Sequence, residues 1–321
     1  MSAAALPPEP AAPSLLLVID PVARREDGES VRIARDVLSA GAVVKVCLPQ
    51  STEEMARALA RRGARRPVVV GDDQALLRVV ELLHRQQRLA QCPLSVVPVG
   101  SAEAVALAGS LGVPTDPVRA ARAVLNGAEQ RVDVLVDDGG GVVLGRMRIT
   151  AGDRTPAADG SADAPATRRA TAAGAPSGTD RRGPLPTWRA LLHRVRRYLP
   201  TPRAAAPRPG RDRDPARPTR PPRPTGQPLR VVADGVVLAD TDPTVSEVSV
   251  SLGDGMAEVV VRRDCADGPV RARARTLSVS GRDVRCTAAR TTDGPLRART
   301  WTVLPAALRL TVPAPHGEQR R

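Results

Sequence analysis

The sixteen residues from Val68 to Leu83 limit the folds open to this chain more than any other stretch. Val68-Val69-Val70 is a short β-branched run that enters Gly71, followed by the acids Asp72 and Asp73 and by Gln74. From Ala75 through Leu83 the apolar residues recur at helical spacing. This is strand, tight turn and helix, the arrangement in which helix N-terminal amides can meet an anion. A strand that turns so directly into a helix implies layered packing, with helices covering a sheet.

The flanking sequence repeats the unit. Strands are expected near 15–19, 43–48, 68–71, 94–98 and 132–136, and helices near 29–40, 52–62, 75–85, 103–111 and 117–126. Pro117 stands where a first helical turn accepts proline. Such alternation predicts a parallel sheet covered on both faces. Asp137-Asp138-Gly139-Gly140-Gly141 reads as a turn joining two strands. From residue 229 the period becomes two. Val248, Val250 and Leu252 alternate with Ser249 and Ser251, and Leu308, Leu310 and Val312 repeat the pattern. Asp234-Gly235, Gly253-Asp254-Gly255 and Asp293-Gly294 are hairpin-type turns, so an antiparallel β-sandwich domain is expected here.

Between these regions the composition changes abruptly. Residues 151–228 hold 15 of the 32 prolines, and sixteen Arg against six Asp. Such a segment buries too little apolar surface to offset its ordering entropy, and a disordered insertion is expected. The segment accounts for most of the net charge of +14, and Lys45 is the chain's single lysine. An Arg preference this complete fits genomic bias plus a basic linker better than a dedicated nucleic-acid surface, which stays open as a disfavoured alternative. Residues 1–13 and 315–321 read as tails.

One amphipathic stretch interrupts the insertion. In residues 187–199, Trp188, Leu191, Leu192, Val195, Tyr198 and Leu199 fall on one helical stripe. Arg189, His193, Arg194, Arg196 and Arg197 occupy the rest. The helix could lie in an anionic membrane interface, dock on the β domain or a partner, or contact nucleic acid; its basic face favours the membrane. Cys47, Cys92, Cys265 and Cys286 are scattered singly and read as free thiols, with no metal-binding spacing. No basic residue precedes Arg24, and no apolar run is long enough to span a bilayer. A cytoplasmic protein, peripheral at the inner membrane face, is the expectation.

The order of these segments resembles the catalytic domain of the diacylglycerol kinase (lipid kinase) family over roughly residues 14–150 and 229–314. The family's strand ends in a Gly-Gly-Asp-Gly-Thr loop over the nucleotide phosphates. Here Gly71 and Asp73 keep their places, while Asp72, Gln74 and Ala75 replace the second glycine, the third glycine and the threonine. Asp20-Pro21 stands where an Asn-Pro pair ends the first strand. Gly100 and Ser101 match the start of a Gly-Thr-Gly-Asn-Asp turn, in which Ala102 and Glu103 depart from the pattern. Ala289-Arg290-Thr291 aligns with the acidic Asp-Gly-Glu motif.

The resemblance implies ATP and Mg²⁺ as cofactors and transfer of phosphate to a lipid hydroxyl, at a site between two domains. The departures imply a degenerate kinase, a membrane-associated lipid-binding or regulatory protein with weak or absent activity. An active lipid kinase is the alternative, with Asp72 and Asp73 forming a rearranged metal site. Against it, the two acids can be a plain solvated turn, Glu103 can simply complement a helix dipole, and Asp20 can be a turn or cap.

Overall fold

Leu15 to Ile19 are all buried, the pattern of a strand packed on both faces. In this computed structural model, which describes residues 12–151, 226–264, 268–289 and 291–314, that strand is the centre of a four-stranded parallel sheet. The order of elements is β1 (Ser14–Ile19), α1 (Pro21–Glu26), α2 (Gly28–Gly41), β2 (Val43–Cys47), α3 (Thr52–Ala60), β3 (Arg66–Gly71), α4 (Asp73–Arg85), β4 (Ser95–Pro98), α5 (Ala106–Ser110) and α6 (Pro117–Asn126). The strands lie in the order β2-β1-β3-β4. Leu15, Leu17, Val68, Val70 and Val97 pack against α2 and α6 on one face. Leu16, Val18, Val69 and Val96 pack against α3 and α4 on the other. β2 is an edge, and the only lysine, Lys45, sits at its middle, a placement that discourages strand addition.

The antiparallel part comprises β5 (Ala128–Asp137), β6 (Val142–Val143), β7 (Arg146–Ala151), β8 (Leu229–Ala233), β9 (Val236–Ala239), β10 (Val245–Gly253), β11 (Met256–Arg263), β12 (Val270–Ala274), β13 (Thr276–Ala288) and β14 (Thr291–Val312). Together these make one ten-stranded sheet. β13 pairs with β8 along Leu277–Gly281 and with β7 along Val284–Ala288, with a register shift between. That bend folds the sheet over a core centred on Trp301, which is 1% exposed.

Three differences from the sequence expectations have clear causes. The strand expected near 132–136 reads in sequence with the parallel strands, but as β5 its residues pair antiparallel with β14 and β6. Apolar alternation alone cannot say which sheet a strand joins. Asp293-Gly294 lies inside β14, and the chain reverses instead next to Ala289, whose φ is +41°. The helix expected over 103–111 is the shorter α5, because residues 102–105 form turns first. The other two hairpin turns stand as expected, with positive φ at Asp234, Gly235, Asp254 and Gly255.

The two parts share apolar packing. Val132, Val134, Leu308 and Leu310 from β5 and β14 join the cluster around α4. Leu94 N–H donates to Arg309 O at 2.8 Å, and Thr311 N–H donates to Leu94 O at 2.9 Å. Residues 152–225, which contain the sequence-predicted helix 187–199, lie outside the described residues and connect β7 to β8 within the antiparallel sheet. Cleavage by an Arg-specific protease in that arginine-rich segment is therefore expected to yield two fragments that co-elute under native conditions and separate only in denaturant. Separation without denaturant would contradict the shared core.

Candidate functional site

The carboxyl ends of β1, β3 and β4 meet at one edge of the parallel sheet. β1 is flanked by β2 on one side and β3 on the other, so the gap between β1 and β3 is the switch point where open α/β sheets hold ligands. The fold brings Asp20, Gly71 to Gln74, and the Gly100 turn together here. A Cβ on Gly71 would stand 2.9 Å from the Asp20 Cβ and 2.8 Å from that of Ala75. Glycine is required there by packing alone. A Cβ on Gly100, whose φ is +148°, would meet Asp72 at 3.7 Å.

The two acids of the turn have separate structural tasks. Asp72 is the N-cap of α4, its Oδ1 accepting from Ala75 N–H at 2.9 Å. Asp73 is 3% exposed, and its two oxygens accept from Leu107 N–H at 2.8 Å and Ala108 N–H at 3.0 Å. Val105, the N-cap of α5, makes no side-chain cap bond, so a carboxylate from another helix serves that end. Ser101 Oγ accepts from Ala104 N–H at 3.3 Å, and Glu103 is exposed on the same turn.

Asp20 is buried beside this turn. Its Oδ1 accepts from Arg78 Nη2 at 3.2 Å, while Oδ2 is buried with no hydrogen-bond partner among the described residues. Burial pushes the Asp20 carboxyl above its usual range; Arg78 opposes the rise and Asp72 adds to it.

Gln74 closes the mouth of the space between α4 and the antiparallel sheet. Its Nε2 donates to Ala289 O at 2.7 Å, and its Oε1 accepts from Thr291 Oγ1 at 2.9 Å. Both polar atoms of the amide are used to bridge more than two hundred residues of sequence. In the resemblance set out from the sequence, Gln74 is matched with a family glycine, and its partners with the tripeptide set against the acidic motif. The two departures from the pattern touch each other.

A cleft of about 520 Å³ lies outside this cross-tie, bounded by Asp72, Asp73, Gln74, Ala104, Ala289 and Thr292. A narrower space of about 150 Å³ lies behind it, lined by Arg78, Glu81, Asp137, Cys286, Arg299 and Trp301. There Arg299 Nη1 pairs with Asp137 Oδ2 at 2.9 Å and with Asp293 Oδ2 at 3.4 Å. Burial raises the Glu81 carboxyl, with Arg85 opposing and Asp137 and Asp293 adding to the rise. Burial also pushes the Cys286 thiol up to about 12, which keeps it protonated and unreactive at neutral pH.

Sequence reasoning missed these inner residues. Gln74, Arg78, Glu81 and Arg85 share one polar stripe of α4, a signal that helical periodicity does carry. The Asp137–Arg299 pair left no such trace, because only the register of β5 on β14 brings it together.

A family model, that of the diacylglycerol kinase catalytic domain, matches residues 14–136. Over these residues the chain is similar to that catalytic-domain family. The fold is similar to that of solved structures. A diacylglycerol kinase from Bacillus anthracis strain Sterne superposes with a TM-score of 0.53 at 12% identity, covering 93% of this chain and 96% of its own. Two more structures from that organism, named as candidate diacylglycerol kinases, give TM-scores of 0.59 and 0.57 at 12% and 13% identity, each covering 93% of this chain and 97% and 96% of their own. At such identity the likeness carries the fold and no more. No curated protein matches the chain in sequence.

Diacylglycerol kinases use ATP and a metal, but the residues present here fit neither well. The amides of Asp73, Ala75 and Leu76 in the first turn of α4 already bond to Ala104 O, Asp72 Oδ1 and Asp72 O. A phosphate arriving there would find few free donors. It would also meet the Asp72 charge and the Gln74 side chain, where glycine would allow close backbone approach. Among the described residues, no group of three His, Cys, Asp or Glu side chains is placed to hold a metal ion, and no helix is long and apolar enough to cross a membrane. The sequence-predicted interface residues Trp188, Arg189, Leu191, Leu192, Arg194, Val195, Arg196, Arg197, Tyr198 and Leu199 lie outside the described residues, as does Arg290.

Proposed function

We propose that this protein is a diacylglycerol kinase-family member without effective kinase activity, acting as a lipid-binding or regulatory protein at an anionic membrane surface. The Gln74 cross-tie is the observation that carries the reading. In a working phosphoryl-transfer site, the phosphate loop and the residue taking the hydroxyl proton face each other across the substrates. Here the residues that the sequence resemblance matches with them, Gln74 on one side and Ala289 and Thr291 on the other, are hydrogen-bonded, and the bridge uses up the amide that would have to leave for a ligand to enter. Ala289 and Thr291 supply no carboxylate, and loss of a general base typically costs a factor of about 10²–10⁴. Asp72 adds a like charge, worth about 1 kcal/mol against one phosphate oxygen at 4 Å in water and about 4 kcal/mol at an effective dielectric of 20.

The test is calorimetric titration of ATP–Mg²⁺ into the purified protein, followed by labelled-phosphate transfer to mixed lipids. The expected results are a dissociation constant weaker than millimolar and no labelled lipid above the protein-free control. Micromolar affinity together with transfer to a lipid would establish the active-kinase alternative instead.

A further inference from the structure

The outer face of the antiparallel sheet carries an array of arginines. Inward, β7, β10, β11 and β13 place Met147, Ile149, Val248, Val250, Val259, Val261 and Cys286 in the core. The alternate positions point away from it. They hold Arg146 and Arg148 on β7, Arg262 on β11, Arg271 and Arg273 on β12, and Arg285 on β13, all exposed. The register puts them side by side: Arg148 across from Ser249, Ser249 from Val260, Val260 from Arg271, and Thr150 from Arg285. With strands about 4.8 Å apart and alternate residues about 6.8 Å apart, the six arginines occupy a patch about 19 Å wide and three rows, about 14 Å, deep.

The acids on this face do not balance it. Glu247 serves both Arg148, at 3.2 Å, and Arg262, at 4.0 Å. Glu258 stands across from Arg273, which pairs with Asp254 at the rim at 3.4 Å. Arg146, Arg271 and Arg285 have no carboxylate partner among the described residues. β7 leaves the face at Ala151 into residues 152–225, whose sequence is itself strongly Arg-rich.

We infer that this face docks the protein on an anionic lipid bilayer, an inference that rests on the membrane-associated part of the function proposed above. The charge is spread across five neighbouring strands and interleaved with Ser and Thr, which matches a field of headgroups rather than one discrete anion. Among the described residues it offers no aromatic platform for unpaired bases. Trp301, the only aromatic described, points inward. Attraction is therefore electrostatic and reversible, without insertion. Met147, Cys286 and Ala288 line the inner space on the opposite side of the same strands, so docking holds the back of that wall against the membrane. This recruits the protein to the surface without delivering lipid from that surface directly into the cleft.

Sedimentation of the full chain with phosphatidylcholine vesicles, with and without phosphatidylglycerol, tests the inference. The wild type should bind only the anionic vesicles and release in high salt. At about fivefold per basic residue, combining Arg146→Thr, Arg148→Thr, Arg271→Thr and Arg285→Thr should weaken binding on the order of 600-fold, with an unchanged circular dichroism spectrum. Lysine at the same four positions should restore binding, because a headgroup plane reads point charge. Arg119→Gln with Arg122→Gln, on the exposed side of α6, should change little. If the threonine variant binds as the wild type does, the face is not the docking surface, while membrane association stands through other residues. If the wild type ignores anionic vesicles, both the inference and the membrane part of the proposed function fall. Tighter binding to a DNA duplex than to vesicles, lost in the threonine variant, would assign the face to nucleic acid.

Discussion

Glycine at both positions 72 and 74 is expected to tighten ATP–Mg²⁺ binding by at least about tenfold over the wild type, the size of about 1.4 kcal/mol. Removing the Asp72 carboxylate relieves a repulsion of about 1–4 kcal/mol per close phosphate charge, depending on local dielectric. Removing the Gln74 side chain frees Ala289 and Thr291 and opens the mouth of the cleft. The fold should survive the change. Glycine replaces an N-cap acid at a cost of only a few tenths of a kcal/mol, and a glycine in the first helical turn costs about 1 kcal/mol. Two single variants divide the gain. Asp72→Asn keeps the cap bond to Ala75 while removing the charge, and Gln74→Ala breaks the cross-tie without loosening the backbone. A gain confined to Asp72→Asn makes the barrier electrostatic; one confined to Gln74→Ala makes it a latch. Calorimetry showing no gain in the double glycine variant would mean that this turn is not where phosphate would bind.

The site was legible in the sequence as a place rather than as a mechanism. The strand-turn-helix unit, the order of segments and the surviving Gly71 and Gly100 located the carboxyl edge of the parallel sheet. Periodicity placed α2, α3, α4 and α6 within a few residues of where they lie. What the side chains do there depends on partners distant in sequence, which no local pattern encodes. Gln74 reads as a substituted glycine until the chain reversal at Ala289 is brought against it. Asp20 reads as a turn residue until Arg78, 58 positions away, closes on it. The same limit explains β5: its apolar alternation is legible, but its membership of the antiparallel sheet is set by the late strand β14.

Asp73 is expected to be a structural anchor, and Asp73→Ala should cost about 2–4 kcal/mol of stability. Its carboxylate accepts two N–H groups at the start of α5 in a setting where the side chain is 3% exposed, so water cannot easily replace it. Leaving one buried donor unsatisfied costs about 1–3 kcal/mol, and truncation here orphans two. Asp72→Ala is the internal comparison. It removes a single cap bond at a half-exposed position, worth about 1 kcal/mol. Urea denaturation of the two variants beside the wild type should therefore show a midpoint shift for Asp73→Ala two to four times that for Asp72→Ala, with similar slopes. Asp73→Asn separates anchoring from charge: its amide keeps one acceptor but turns a donor toward a second N–H, so it should recover only part of the loss. Equal midpoints for Asp72→Ala and Asp73→Ala would remove the anchoring role and return Asp73 to the candidates for ligand contact. A large shift means that the one carboxylate kept in the family's place is held there by the packing of α5 against α4, a role that needs no nucleotide.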